Sequence, residues 1–138
     1  MLPFDPASFD DSRWPRLSLR LAGTLTSQGH VECLEALAGY LGRAERFALL
    51  VDLTQVGLIP LEQRWRQVEW FEEHEQPLRT QLVGSAIILT SPLVRLSVSA
   101  ILHFKRVPVP LAAVPTRQEA EAWVDERLRE AGLLPQAP

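Results

Sequence analysis

Two short and almost wholly apolar segments, residues 47–51 and 82–89, constrain the fold more than any other feature of this sequence. Asp52 directly follows the first segment, and the second segment contains Gly84. Continuous apolar runs of this length are typical of central strands that helices cover on both faces. Parallel neighbours of this kind need long crossover connections, and these are usually helical. The chain is therefore predicted to be an α/β protein.

The remaining segments supply further strands and helices in the order β-α-β-α-β-α-β-α. Leu17, Leu19 and Leu21 alternate with polar residues and predict a half-buried strand over residues 16–25. Prolines flank a short strand over residues 111–114 and favour a place near the edge of the sheet. Four helices are predicted, beginning after Thr26 or Ser27, at Pro60, after Ser91 and after Thr116, where hydroxyl groups or proline suit a first helical turn.

The 138 residues, of which 46% are apolar, are near the usual size of a single domain. Residues 1–15 contain three prolines and no periodicity, which predicts an irregular N-terminal arm. Residues 16–132 are predicted to form the domain, and residues 133–138 a frayed tail.

Charge and cysteine content exclude several classes of protein. The net charge of -3 is unsuited to a nucleic-acid partner. Cys33 is the single cysteine, so an intrachain disulfide is impossible. No stretch approaches the roughly 20 apolar residues of a membrane span, and the first residues lack the pattern of a signal peptide. We expect a cytoplasmic protein without a membrane span.

The sequence offers no catalytic or cofactor-binding motif. The strand that ends at Asp52 is followed by residues 53–57, which contain one glycine, Gly57, and no lysine. The glycine-rich motifs of Rossmann and P-loop nucleotide-binding sites are therefore both missing. Cys33 lies in the middle of a predicted helix and is expected to be structural. His74 stands among glutamates, but no second histidine at metal-binding spacing joins it. The chain is predicted to be no enzyme and to use no cofactor or metal.

Three residues in the central part of the chain are candidates for partner or ligand binding. Asp52 lies at the carboxyl end of a buried strand, where open α/β sheets place functional groups, although it also suits the following turn. Arg64 lies near the edge of the apolar stripe of the helix that begins at Pro60, and it would pair with Glu72, with Glu75 or with a partner's anion. Trp70 projects opposite that stripe, so it is either packed by the N-terminal arm or an interaction anchor. The stripe itself is predicted to be buried and consists of Leu61, Trp65, Val68 and Phe71.

The helix over residues 93–104 has an apolar arc that is wider than one sheet can cover. Its narrow polar stripe includes Arg95 and His103, which are further binding candidates. Three interpretations remain open: a helix wedged between the sheet and other helices, a homodimer seam, or a surface for a lipid or apolar ligand. The seam would use Val94, Val98, Ala100, Ile101 and Phe104.

Over residues 14–131 the sequence resembles small bacterial STAS-like proteins, which are relatives of the anti-sigma-factor antagonist domain. The resemblance is carried by residues 19–26, 47–53, Gln63-Arg64 with Glu69-Trp70, Thr90-Ser91-Pro92 with Arg95, and 119–123. It implies a mostly parallel or mixed sheet of four to five strands flanked by about four helices. It also implies a protein that binds other proteins or small ligands and does not catalyse a reaction.

In STAS antagonists a serine is phosphorylated at the start of the helix after the Asp-Leu-Ser strand. Here Asp52-Leu53-Thr54 is followed by Pro60-Leu61-Glu62-Gln63, which has no hydroxyl group at the matching position. Glu62 would instead place a fixed negative charge at that helix N-terminus. Partner binding is therefore expected to be constitutive.

Two functional hypotheses follow. The first is a non-enzymatic regulatory or interaction module of a bacterial cytoplasmic complex, with another protein or a second copy as partner. The alternative is a carrier or sensor of an apolar or anionic small molecule. A flat apolar patch on the third helix would favour the first, and an apolar cavity with Arg64 or Arg95 at its mouth would favour the second.

Overall fold

The structure, a computed structural model, describes residues 7–135. Five strands form one mixed sheet in the order β1-β2-β3-β4-β5, in which β2 to β5 are parallel and β1 is antiparallel to β2. The strands are β1 (Ala7–Arg13), β2 (Arg16–Gly23), β3 (Phe47–Val56), β4 (Leu82–Ile88) and β5 (Leu111–Val114), and the helices are α1 (Ser27–Leu41), α2 (Leu61–Glu73), α3 (Glu75–Gln81), α4 (Pro92–Phe104) and α5 (Arg117–Glu130). The predicted α/β fold with a mixed sheet is confirmed.

The central strand β3 is covered on both faces, as its continuous apolar sequence predicts. Phe47 and Leu49 belong to the core beneath α1 and α2, whereas Ala48 and Leu50 pack under α5. This strict alternation also decides that Asp52 lies on the α5 face.

The α5 helix packs close to the sheet because the strands beneath it carry small residues. A methyl group on Gly84 would lie 2.9 Å from Arg127 Cγ and 3.1 Å from the Trp123 ring. The start of β2 is tied to α5 by the buried Arg16, which lies 3.0 Å from Asp125 and 3.4 Å from Glu121. A side chain at position 84 would therefore have to displace the Arg127 side chain and the Trp123 indole.

The helix starts predicted from the sequence are confirmed by their capping bonds. Thr26 Oγ1 accepts from Gly29 N at 2.9 Å, and Ser91 Oγ accepts from Val94 N at 3.4 Å. Thr116 accepts from Glu119 N at 3.2 Å while its own hydroxyl donates to the Glu119 carboxylate. These bonds satisfy amide groups that the first helical turn leaves free.

The predicted irregular N-terminal arm is wrong for residues 7–13, which form the edge strand β1. Phe9 and Trp14 pack their rings against Tyr40 at 5.5 and 5.7 Å, and Trp14 also stacks on Phe47. Only one side of this edge strand contacts the core, so aspartate and serine on its other side hide the strand pattern. Residues 1–6 lie outside the described residues.

Two further predictions of local structure are corrected. The helix predicted from Pro60 to about Pro77 ends earlier, at Glu73, and a separate helix α3 follows it, with Pro77 in its first turn. Part of the predicted frayed tail is packed: Gly132 has a φ of 76°, and Leu133 N donates to Leu128 O at 2.8 Å. This Schellman-type ending turns Leu133 and Leu134 back onto the core under α5. Residues 136–138 lie outside the described residues.

Candidate functional site

An exposed apolar surface lies on two adjacent helices. Seven large apolar side chains are exposed among the described residues, and six of them belong to α2, to α4 or to the segment just before α2. These six are Leu58, Leu61, Trp65, Leu93, Leu96 and Phe104, and together they are called the α2–α4 surface. The two helices pack against each other, and the Trp65 and Phe104 ring centroids are 4.7 Å apart. Clustering of this kind marks an interaction site more often than scattered exposed residues do.

The orientation of α2 differs from the predicted one. Leu61 and Trp65 of the predicted buried stripe are exposed, whereas Gln63 and Trp70 are buried. Gln63 donates its amide to Leu25 O at 2.6 Å, and the Trp70 ring stacks on His74 at 4.4 Å. These contacts satisfy groups that the sequence pattern assigned to solvent. Trp70, 6% exposed, is therefore a core residue and not an interaction anchor.

The predicted seam residues of α4 are also rotated relative to the surface. Val94 and Ile101 are buried within the monomer at 1% and 9% exposure, and Val98 packs against the core. Ala100 is half-buried, so only Phe104 of the five is exposed. Leu93 and Leu96 occupy the outer face instead. The wedged interpretation therefore fits one side of this helix, and the dimer-seam and ligand-surface interpretations of its exposed side stay predictions.

Positive charge without a carboxylate partner borders this surface. The α4 helix contains no acidic residue, and Arg95 and His103 are exposed on it. Arg64 of α2 is half-buried, forms no ion pair within the described part of the chain, and has a buried Nε without a hydrogen-bond partner there. Within the described residues Arg64 pairs with neither Glu72 nor Glu75, the two intramolecular partners predicted for it; Lys105 lies 2.9 Å from the Glu75 carboxylate instead, and its hydrogen bond lowers the pKa of Glu75.

Asp52 lies on the opposite face of the sheet and stabilises its own strand. Its Oδ1 accepts bonds from Thr54 N at 2.9 Å and from the Thr54 hydroxyl at 2.7 Å, and its Oδ2 faces Arg117 at 3.9 Å. The strand β3 continues to Val56, beyond the end predicted at Asp52. Asp52 is thus engaged locally and is remote from the α2–α4 surface.

A buried histidine joins α1 to α2. Arg66 Nη1 lies 3.1 Å from His30 Nδ1, and His30 Nε2 lies 3.3 Å from Gln67 Oε1. Because a guanidinium can only donate, Nδ1 accepts and Nε2 carries the proton, so the ring is neutral. Burial lowers the pKa of His30, and the charge of Arg66 adds to this effect, whereas the Gln67 hydrogen bond opposes it. Nothing in the sequence pattern indicates this contact.

We expect the stability of the protein to fall as the pH drops below about 6.5, the ordinary pKa of histidine. In that range the unfolded chain binds a proton at His30 that the folded chain rejects, at a cost of up to about 1.4 kcal/mol per pH unit. Urea unfolding at pH 7.5 and 5.5 should show a larger loss for the wild type than for His30→Gln. Equal losses would show that His30 is protonated equally in both states.

No other side-chain cluster in the described part of the chain suggests chemistry. Cys33 is buried, and desolvation raises the pKa of its thiol to about 11, so it is not a nucleophile at neutral pH. Residues 7–135 contain no group of three or more His, Cys, Asp or Glu side chains that could hold a metal ion. Over the same range no helix is long and apolar enough to cross a bilayer.

A cavity of about 200 Å³ lies between the sheet and the helices α1 to α4. Its walls are mainly leucine, isoleucine and valine side chains. Neither Arg64 nor Arg95 lines it, contrary to the arrangement expected for an anionic ligand. The cavity and the α2–α4 surface share Leu58 and otherwise involve different residues of the same helices.

Comparison with solved structures identifies the fold. An uncharacterised protein of the DUF3478 family from Shewanella loihica, described as having a SpoIIAA-like fold, has a TM-score of 0.63 and 17% identity over 86% of this chain and 91% of its own. An anti-sigma factor antagonist from Mycobacterium paratuberculosis has a TM-score of 0.58 and 16% identity over 86% of this chain and 92% of its own. The chain has a SpoIIAA-like, STAS-like fold. No protein-family model matches the sequence, and the comparison with curated proteins finds no match.

In this SpoIIAA-like fold, α2 is the helix that follows the Asp52-Leu53-Thr54 strand. Glu62 lies in its first turn, exposed to solvent and 3.8 Å from Arg66. Pro60, Leu61 and Gln63 beside it have no hydroxyl group. The nearest hydroxyl along β3, that of Thr54, is bonded to Asp52. A carboxylate therefore occupies the start of α2, where it interacts favourably with the helix dipole.

Proposed function

We propose that this protein is a non-enzymatic regulatory module of a bacterial cytoplasmic complex and binds another protein through the α2–α4 surface. The observation that carries the proposal is that six of the seven large apolar side chains exposed within residues 7–135 lie on this surface. A tryptophan and a phenylalanine in ring contact are typical of the core of a protein interface. The SpoIIAA-like fold, which one neighbour shares as an anti-sigma factor antagonist, supports a protein partner.

Charge defines the partner more closely. Arg95 is exposed beside Leu96 on a helix without acidic residues, and Arg64 forms no ion pair in the described part of the chain. A partner that places aliphatic or aromatic side chains on the apolar surface and carboxylates opposite α4 would match both features. Carboxylates would also relieve the unpaired guanidinium of Arg64.

A second copy of the chain is a further candidate for the same surface. The exposed face of α2 carries Glu62 and Glu69, whereas α4 carries Arg95 and His103. A two-fold axis that places α2 of one copy against α4 of the other would bring opposite charges together. Self-association through this surface and binding of another protein would then compete.

Binding is proposed to be constitutive. Glu62 keeps the start of α2 negatively charged, and the Thr54 hydroxyl is engaged by Asp52 at 2.7 Å. Expression level or a ligand would then control the complex, without phosphorylation of α2.

The test is capture of partners by the wild type and by Leu96→Glu, which places a charge at the most exposed position of the surface. Gln118→Glu adds the same charge on α5 and is the control. We expect Leu96→Glu alone to lose both the partner and any dimer mass in light scattering, with an unchanged melting temperature. Intact-mass measurement of the captured protein should show no phosphate.

The proposal is wrong if Leu96→Glu and Gln118→Glu capture the same proteins as the wild type and all three have the same mass in solution. A phosphate on Thr54 whose removal changes capture would overturn the constitutive part alone.

A further inference from the structure

The cavity beneath the helical layer has the composition of a binding site for a small molecule. The sheet provides its floor, including Leu19, Leu49 and Ser85, and the helices provide its roof, including Leu34, Phe71 and Ile101. A cavity of 150 Å³ with such walls stays dry and accommodates benzene. The 200 Å³ here would hold a somewhat larger apolar molecule of about eight to ten non-hydrogen atoms.

The walls exclude a charged occupant. Among the described residues, no lysine, arginine, aspartate or glutamate lines the cavity. The titratable wall residues are Cys33, whose thiol stays protonated at neutral pH, and His30, whose two ring nitrogens face Arg66 and Gln67. An ion transferred into this space would lose its hydration without gaining a counter-ion.

One polar group on the floor lacks a partner. Ser85 of β4 is only 5% exposed, and its backbone N donates to Pro110 O at 3.0 Å. Its hydroxyl makes no hydrogen bond within residues 7–135, and the residue lines the cavity. The fully enclosed unpaired side-chain atoms of the described residues are Arg64 Nε and Arg127 Nε, so the Ser85 hydroxyl keeps accessible surface and can form a hydrogen bond with a molecule in the cavity that it lines.

We propose that the cavity binds one neutral, mainly apolar molecule whose single hydroxyl or carbonyl group hydrogen-bonds to Ser85. The apolar part would replace empty space against leucine and isoleucine side chains. The polar group would hydrogen-bond to this hydroxyl, so molecules that lack it bind more weakly. Of the six residues of the α2–α4 surface, Leu58 alone also lines the cavity, so the two sites are largely separate.

The test compares 1-octanol with octanoate at pH 8 by titration calorimetry, since both have the same chain and only octanoate is charged. We expect saturable binding of one octanol per protein and binding of octanoate weaker by at least about tenfold. Ser85→Leu, which fills the cavity and removes the hydroxyl, should abolish octanol binding. Ser97→Ala is the matched control, because Ser97 is an equally buried serine on α4 whose hydroxyl donates to Leu93 O.

If Ser85→Leu does not fold, a second variant, Cys33→Leu, fills the cavity with a larger side chain from α1 and should likewise abolish octanol binding. The proposal is overturned if octanol shows no saturable binding, if octanoate binds as tightly, or if the folded filling variants bind octanol like the wild type. Loss of octanol binding in Leu96→Glu but not in the filling variants would place the molecule on the α2–α4 surface and would also overturn it.

Discussion

Replacing Trp65 by alanine is expected to weaken partner binding by about 2–4 kcal/mol, or roughly 30- to 1,000-fold. Tryptophan anchors near the middle of an interface contribute more than other side chains, because they bury a large area and exclude water. Trp65 is already 45% exposed, and its ring contacts Phe104 at the junction of α2 and α4. The monomer therefore loses little when the ring is removed.

The measurement is the dissociation constant of the captured partner, or of the dimer, for the wild type, Trp65→Ala and Trp65→Phe. Phenylalanine keeps an aromatic ring against Phe104 and should recover most of the affinity. The melting temperature of all three should agree within a few degrees. Unchanged affinity of a folded Trp65→Ala would remove this residue from the interface.

Replacing Phe47 by alanine is expected to lower the free energy of unfolding by about 3–5 kcal/mol. Phe47 is fully buried at the start of β3, and its ring stacks on Trp14 at 5.0 Å. Through Trp14 it supports Tyr40 and the packing of the edge strand β1. The substitution thus leaves a cavity in the core and also removes an aromatic contact that holds β1 in place.

Urea unfolding followed by tryptophan fluorescence measures this loss, with Phe47→Leu as the control. Leucine retains most of the buried apolar volume and should cost much less. A loss below about 1 kcal/mol for Phe47→Ala would show that the site collapses or that β1 contributes little to stability.

Local sequence signals predicted most of the fold. The continuous apolar runs of β3 and β4 predicted strands that are buried on both faces, and such a run can be recognised in each strand without knowing its neighbours. The capping residues Thr26, Ser91 and Thr116 accept hydrogen bonds from amide groups of the next few residues. The helix starts can therefore be predicted without knowledge of distant segments. Strand β1 escaped detection because an edge strand needs an apolar pattern on only one side.

The candidate site was predicted in part. The apolar arc of α4 indicated a surface beyond what one sheet covers, and the structure has such a surface. The exposed residues are Leu93 and Leu96, however, and not Val94 and Ile101. An arc that is apolar almost all round does not specify which side meets the core.

The sequence by itself determined the α/β class, the helix starts and the missing hydroxyl group at the start of α2. Only the tertiary structure decided the rotation of α2 and α4, the burial of Trp70 and the cavity that Ser85 lines. Periodicity depends on neighbours a few residues apart, so it reports that a helix has an apolar side. The direction of that side depends on contacts between distant segments, such as the bond from Gln63 to Leu25 O and the contact between Trp65 and Phe104.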